Sequence, residues 1–164
     1  MNAYIADLSK SFLRDIDTLS REVALYPDDR SLFEQRPGLP NTGGNLALHL
    51  VGNVRHFIGV TLGSSGYVRD RDHEFAAREC TRLELAALIA AARADVEAAL
   101  AALPESRLTE PFPLAVGGHT LPTGRFLLHL ATHLTFHLGQ IDYHRRIVTG
   151  NAQSANTLPI SAMV

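Results

Sequence analysis

Four stretches of the chain place an apolar residue at every third or fourth position, and each is closed by proline, glycine or a turn-forming cluster. That pattern leaves few folds open, because each stretch is a helix with one stripe to bury. The first runs from about Tyr4 to Tyr26, with Ile5, Leu8, Phe12, Ile16, Leu19 and Val23 in line, and Pro27, Asp28 and Asp29 stop it. The second runs from about Gly44 to Leu62. Asn41 or Thr42 stands where a cap belongs, and Leu46, His49, Leu50, Asn53, His56, Phe57 and Val60 share one face. The third opens at Thr81, where Thr81-Arg82-Leu83-Glu84 fits a capping box; Leu85, Leu88, Ile89, Ala92, Val96, Ala99 and Leu103 follow, and Pro104 ends it. The fourth starts near Thr123, behind Pro122, and reaches about Thr149, with Gly150-Asn151 as its stop.

Four amphipathic helices in 164 residues predict an all-α four-helix bundle, one domain over residues 1–164. The connections run to about a dozen residues or more, longer than simple antiparallel neighbours need, so at least one crossover connection is expected. Gly117-Gly118, between Leu108–Val116 and His119–Leu121, predicts a short hairpin between the third and fourth helices, confined to an edge by its prolines. The tail from Ala152 to Val164 has no period; it is expected either to fray or to be tied down by a partner subunit.

Composition narrows the function. Fifteen Lys+Arg against seventeen Asp+Glu give a net charge of -2, without the basic footprint of a nucleic-acid binder. No apolar run is long enough for a membrane span, and the first residues lack the basic-then-apolar order of a secretory signal. A single cysteine, Cys80, excludes an internal disulfide and a cysteine-rich metal site and makes the cytoplasm the expected compartment. Cys80 itself reads as a small buried residue. Lys10 is the only lysine, and eight residues are histidine.

The histidines are not scattered. At about 100° per residue, His129, His133, His137, Gln140 and His144 fall within roughly 60° of one another on the fourth helix, with Phe126 and Leu130 on the same face. His49, Asn53 and His56 sit among the apolar residues of the second. Buried imidazoles satisfy one another poorly, whereas a metal ion satisfies several at once. His129 and His144 are separated by roughly 22 Å along the axis, so the row cannot be one site. His129 with His133, or His133 with His137, makes a converging pair, and the third ligand comes from His49 or His56; periodicity leaves these combinations open. His56 beside Arg55, and His144 beside Arg145 and Arg146, also read as rim residues, and His73 and His119 as solvated loop residues. Glu74, in Asp72-His73-Glu74-Phe75, could reach a site but reads first as a surface carboxylate. Phosphate-loop, nucleophile-elbow and H-E-x-x-H patterns are missing.

The segment His133-Leu134-Thr135-Phe136-His137-Leu138-Gly139-Gln140, an H-x-x-x-H-x-G-Q pattern, resembles the DinB/YfiT-like superfamily. Gly43-Gly44-Asn45-Leu46-Ala47-Leu48-His49-Leu50 resembles the other half of that signature. The resemblance covers most of the chain. It implies a metal triad at His49, His133 and His137, an up-down-down-up bundle with the second and third helices parallel, a divalent ion such as zinc or nickel, and a homodimer. Characterised members of the family include thiol-dependent transferases and isomerases that use bacillithiol, mycothiol or glutathione; many have no known activity. The family's name refers to DNA damage and does not imply DNA binding.

Three neutral imidazoles leave a divalent ion an open position, as a catalytic site requires. All-nitrogen ligation suits zinc, nickel, iron or copper. The expected function is a metal-dependent thiol S-transferase or a hydrolase acting on a small molecule. Asn53 and Gln140 would hold the outer nitrogens of the metal-bound histidines or position substrate, and His129 and His56 would line the pocket, orient a water or hydrogen-bond the ligand shell. No residue stands out as a general base. The competing class is a non-catalytic bundle, a metal-binding stress protein or a scaffold.

Overall fold

The computed structural model describes residues 2–163, so Met1 and Val164, and with them the outermost ends of the domain and of the tail, lie outside the described residues. The chain forms α1 (Ala3–Ala24), α2 (Asp29–Leu32), α3 (Gly43–Val54), α4 (Arg71–Ala76), α5 (Arg82–Ala102) and α6 (Thr123–Thr149). The four predicted helices are α1, α3 with its continuation, α5 and α6. Local chemistry starts and stops them. Asn2, Thr42 and Thr81 each accept a hydrogen bond from a first-turn backbone N–H of α1, α3 and α5. At Thr81 the reciprocal bond from its own N–H to Glu84 completes the capping box. Gly150 ends α6 in the left-handed conformation.

Contacts along the helices fix their directions. Asp17 meets Arg93 and, just past α1, Asp29 meets Arg82, so α1 and α5 are antiparallel. Tyr4 reaches the Gly124 carbonyl, Asp15 meets Thr135 and Glu22 meets Arg145, so α1 and α6 are parallel. Phe57 packs on Phe126 while His49 lies against His133, making α3 and α6 antiparallel. Leu50 and Val51 lie with Ile89 and Ala92, and Gly63 with Ala99, making α3 and α5 parallel. The order is up-down-down-up. The apolar stripes of all four helices join in one buried cluster.

Parallel α3 and α5 need a return connection between them, and residues 61–81 supply it. This stretch carries α4 back along α3. Asn45 holds it there, donating its side-chain N–H groups to the carbonyls of Glu74 and Ala77. With α4 on its outer side, every residue of α3 is buried, rather than the single face its period marks. Beyond Val54 the helix widens through Arg55–Val60 into i→i+5 turns, with Thr61 N–H bonding the His56 carbonyl and Gly63 N–H the Ile58 carbonyl.

The hairpin before α6 is reduced to isolated bridges, Pro111 with Pro122 and Val116 with His119. Gly117 and Gly118 take φ of +59° and +79°, the left-handed pair a two-residue turn between twisted strands requires.

The tail differs from expectation. It neither frays nor waits for a partner, because the chain's own arginines bind its carbonyls. Arg21 holds Ala155 O, Arg145 holds Asn151 O and Gln153 O, and Arg146 holds Ala152 O. Ala155 is buried, and Lys10 donates to the Met163 carbonyl at 3.1 Å. Arg145 is itself fully buried and paired with Glu22 at 2.6 Å, so the tail carbonyls complete its donor set.

Candidate metal centre

His49 projects from the middle of α3, and His133 and His137 from successive turns of α6, where the two helices cross as antiparallel neighbours. One ring nitrogen of each lies within 4.8 Å of the others. The Nε2 atoms of His49 and His133 are 3.4 Å apart. That is close to the separation of two nitrogens on a tetrahedral zinc ion, about 3.3 Å for bonds of about 2.0–2.1 Å. His133 and His137 stand edge to face with ring centroids 4.5 Å apart. Of the pairs that spacing left open, the structure brings His133 and His137 together with His49. His129 lies one turn away, exposed, its ring centroid 6.2 Å from that of His133, and His56 is outside the cluster.

The outer nitrogens of His49 and His137 have partners that orient the rings. Nδ1 of His49 is 2.9 Å from Oε2 of Glu74, and Arg69 binds the same carboxylate through Nε at 2.6 Å and Nη2 at 2.8 Å. Arg69 Nη2 also lies 3.3 Å from His49 Nδ1. Guanidinium only donates, so the carboxylate is the shared acceptor, the His49 proton sits on Nδ1, and the Nε2 lone pair turns to the cluster. Nδ1 of His137 pairs with Oε1 of Gln140 at 2.6 Å, which leaves Nε2 of that ring free in the same way. Nδ1 of His133 and Oδ1 of Asn53 are buried without a hydrogen-bond partner among the described residues. Asn53 does not hold His49; Glu74 does.

Glu74 is therefore not a surface carboxylate. It is 4% exposed, set against α3 where Gly52 presents bare backbone. A Cβ at position 52 would overlap its Oε1. Burial raises the Glu74 pKa, but hydrogen bonds from Arg69 and His49 outweigh it, and the net direction is down. The carboxylate stays ionised. Its signal lay in no local period, only in the acid's place within the return connection.

Burial, with His137 and His49 nearby, lowers the His133 pKa to about 4, and burial lowers that of His137. Both rings are neutral near pH 7, the form that donates a lone pair. His144, read as a rim residue, is buried: Tyr26 bonds its Nδ1 at 2.8 Å and the Glu34 carbonyl its Nε2 at 2.9 Å. It is structural and apart from the cluster. His73 is exposed on α4 rather than in a loop, and His119 is exposed in the hairpin. Cys80 is half-buried and its thiol pKa is raised by burial, so it is a poor nucleophile.

These residues can hold a divalent metal ion. Two nitrogens have their protons fixed on the far side of the ring, the third ring is neutral, and the spacing suits one ion. His133 and His137 are half-exposed, so one side of the cluster faces solvent.

No curated protein and no solved structure matched the chain. The sequence model of the DinB superfamily matches residues 4–141, from the start of α1 through both histidine-bearing helices, and the chain belongs to that superfamily.

Proposed function

We propose that this member of the DinB superfamily is a metal-dependent enzyme in which His49, His133 and His137 hold a divalent ion, zinc or nickel before iron. The activity is transfer of a low-molecular-weight thiol, or hydrolysis, acting on a small-molecule substrate in the cytoplasm. The observation that carries the reading is the convergence of three imidazoles on one point, two of them, His49 and His137, with their outer nitrogens tied on the far side, in a cluster whose other side is open. The ion supplies Lewis acidity, which activates a thiol or water at neutral pH.

The protein's own groups do the rest. Glu74 and Arg69 fix the tautomer and angle of His49. Gln140 does the same for His137 and, being exposed, is placed to touch substrate. Phe75 packs on His49 at 4.9 Å between centroids and keeps water from that flank. The test is a screen of the metal-loaded protein with low-molecular-weight thiols and electrophiles, paired with metal analysis. Turnover that disappears together with the metal in His133→Ala is the expected result; turnover that survives without metal overturns the reading.

A non-catalytic metal protein is the second reading, favoured by one observation: Glu74 is committed to Arg69 and His49, which leaves the cluster without a free carboxylate as base. A loaded site with no exchangeable water would establish it instead.

A further inference from the structure

Next to the histidine cluster, between the Gly117-Gly118 hairpin and α6, lies a cleft of about 240 Å³. Its floor is Phe112 and Phe126, both buried, with ring centroids 4.3 Å apart. Leu114, Val116 and Leu121 of the hairpin form its walls, and His119 and His129 are its polar lining. Neither lysine, arginine nor a carboxylate lines it among the described residues. The hairpin is held open in this shape by backbone bonds from Phe112 N–H to Leu121 O at 2.8 Å and between Val116 and His119 at 2.9 and 3.1 Å.

The cleft leads to the cluster. His129 stacks on Phe126, with 23° between planes and 5.9 Å between centroids. From His129 the row continues to His133 at 6.2 Å and to His137 at 4.5 Å. A molecule seated on Phe112 and Phe126 thus has its nearer end one ring away from the three nitrogens. Leu114 and Val116 are over a third exposed although they belong to a formed hairpin, so their apolar surface is available to a ligand.

We propose that this cleft is the subsite for the uncharged, apolar part of the substrate, an aromatic or branched aliphatic group whose reacting atom is thereby presented to the histidine cluster. The proposal rests on the metal-centre reading for the second half of that statement only. The volume is below the roughly 300–1,000 Å³ of pockets that enclose a whole drug-sized ligand, and so fits one such group rather than an entire molecule. Apart from His119 and His129 at its edge, the lining offers a charged group no partner, and desolvating one against the apolar floor and walls is unfavourable.

Two probes separate the cleft from the metal. Toluene added to the metal-free protein should shift the methyl resonances of Leu114, Val116 and Leu121 saturably, and Val116→Asp should abolish the effect. Val116 is exposed enough for that variant to fold, and Leu114→Ser serves as a second. In the cobalt-loaded protein, 4-phenylimidazole should bind about tenfold more tightly than imidazole by visible spectroscopy, as added apolar burial predicts. Val116→Asp should remove that preference and leave imidazole affinity unchanged. Toluene that moves none of these methyls overturns the cleft whatever the metal does. Equal affinity of the two imidazoles in the wild type overturns its link to the cluster. Failure to take up cobalt overturns the metal reading alone, and the toluene arm then decides the cleft.

Discussion

His133 shares a turn of α6 with both His129 and His137, and its Nε2 faces that of His49 at 3.4 Å. Replacing it with alanine should abolish metal binding, because two histidines and water hold a divalent ion far more weakly than three fixed rings. His49→Ala and His137→Ala should do the same, while His129→Ala and His56→Ala keep the metal. Metal analysis of the five purified variants checks this; loss in His129→Ala with retention in His137→Ala would move the site one turn along α6. A pH dependence also follows. The folded-state pKa values of His133, His137 and His144 all lie below the ordinary histidine value, so the unfolded chain binds the extra protons and stability rises with pH. The contribution is complete above about 6.5 and is lost as pH falls through the interval down to about 4. Thermal melts of the metal-free protein should therefore drop across that interval, and drop less in His133→Phe, which has no proton to gain. At this scale the sequence was legible wherever a residue's role follows from its own helix. His133, His137 and Gln140 are neighbours on one face. Glu74 and His144 were misread because their partners come from elsewhere: Arg69 and Gly52 for the first, Tyr26 and the Glu34 carbonyl for the second.

Between elements, a tight constraint lies at Gly52. Glycine-to-alanine changes in a helix interior ordinarily stabilise by roughly 0.5–1 kcal/mol. Here the new methyl would displace Glu74 from His49, with Arg69 Nε only 3.4 Å away. Gly52→Ala should thus lower both the melting temperature and the metal affinity; a higher melting temperature with unchanged affinity would show that α4 shifts freely. The capping box is a cleaner case, because it touches nothing near the histidines. Thr81→Ala should cost about 1 kcal/mol in denaturant titrations and leave metal content as it was. Long elements declared themselves by period and by caps, and α5 begins and ends within a residue of its expected limits. The six residues of α4 are too few to show a period, and only the crossover between parallel helices gives them a place.

For the molecule as a whole, the up-down-down-up order is what puts a connection, rather than solvent, over the outer side of α3. We further propose a homodimer. The tail no longer argues for one, since it is held by its own chain, but Phe136, Tyr143 and Ile147 lie exposed along one face of α6. Light scattering at micromolar concentration should return twice the 17.9 kDa chain mass, and the chain mass itself would count against pairing. Among the described residues no helix is long and apolar enough to cross a membrane. The way the tail is fastened also makes the protein unusually addressable. Lys10, its single side-chain amine, is a strut between α1 and the Met163 carbonyl. An acylating reagent has one lysine to find, and acylation removes the charge that grips the strap. Because Lys10 is exposed, the reagent reaches it without the strap lifting, and a dye or linker attached there reports from the helix diagonal to the one that carries His49.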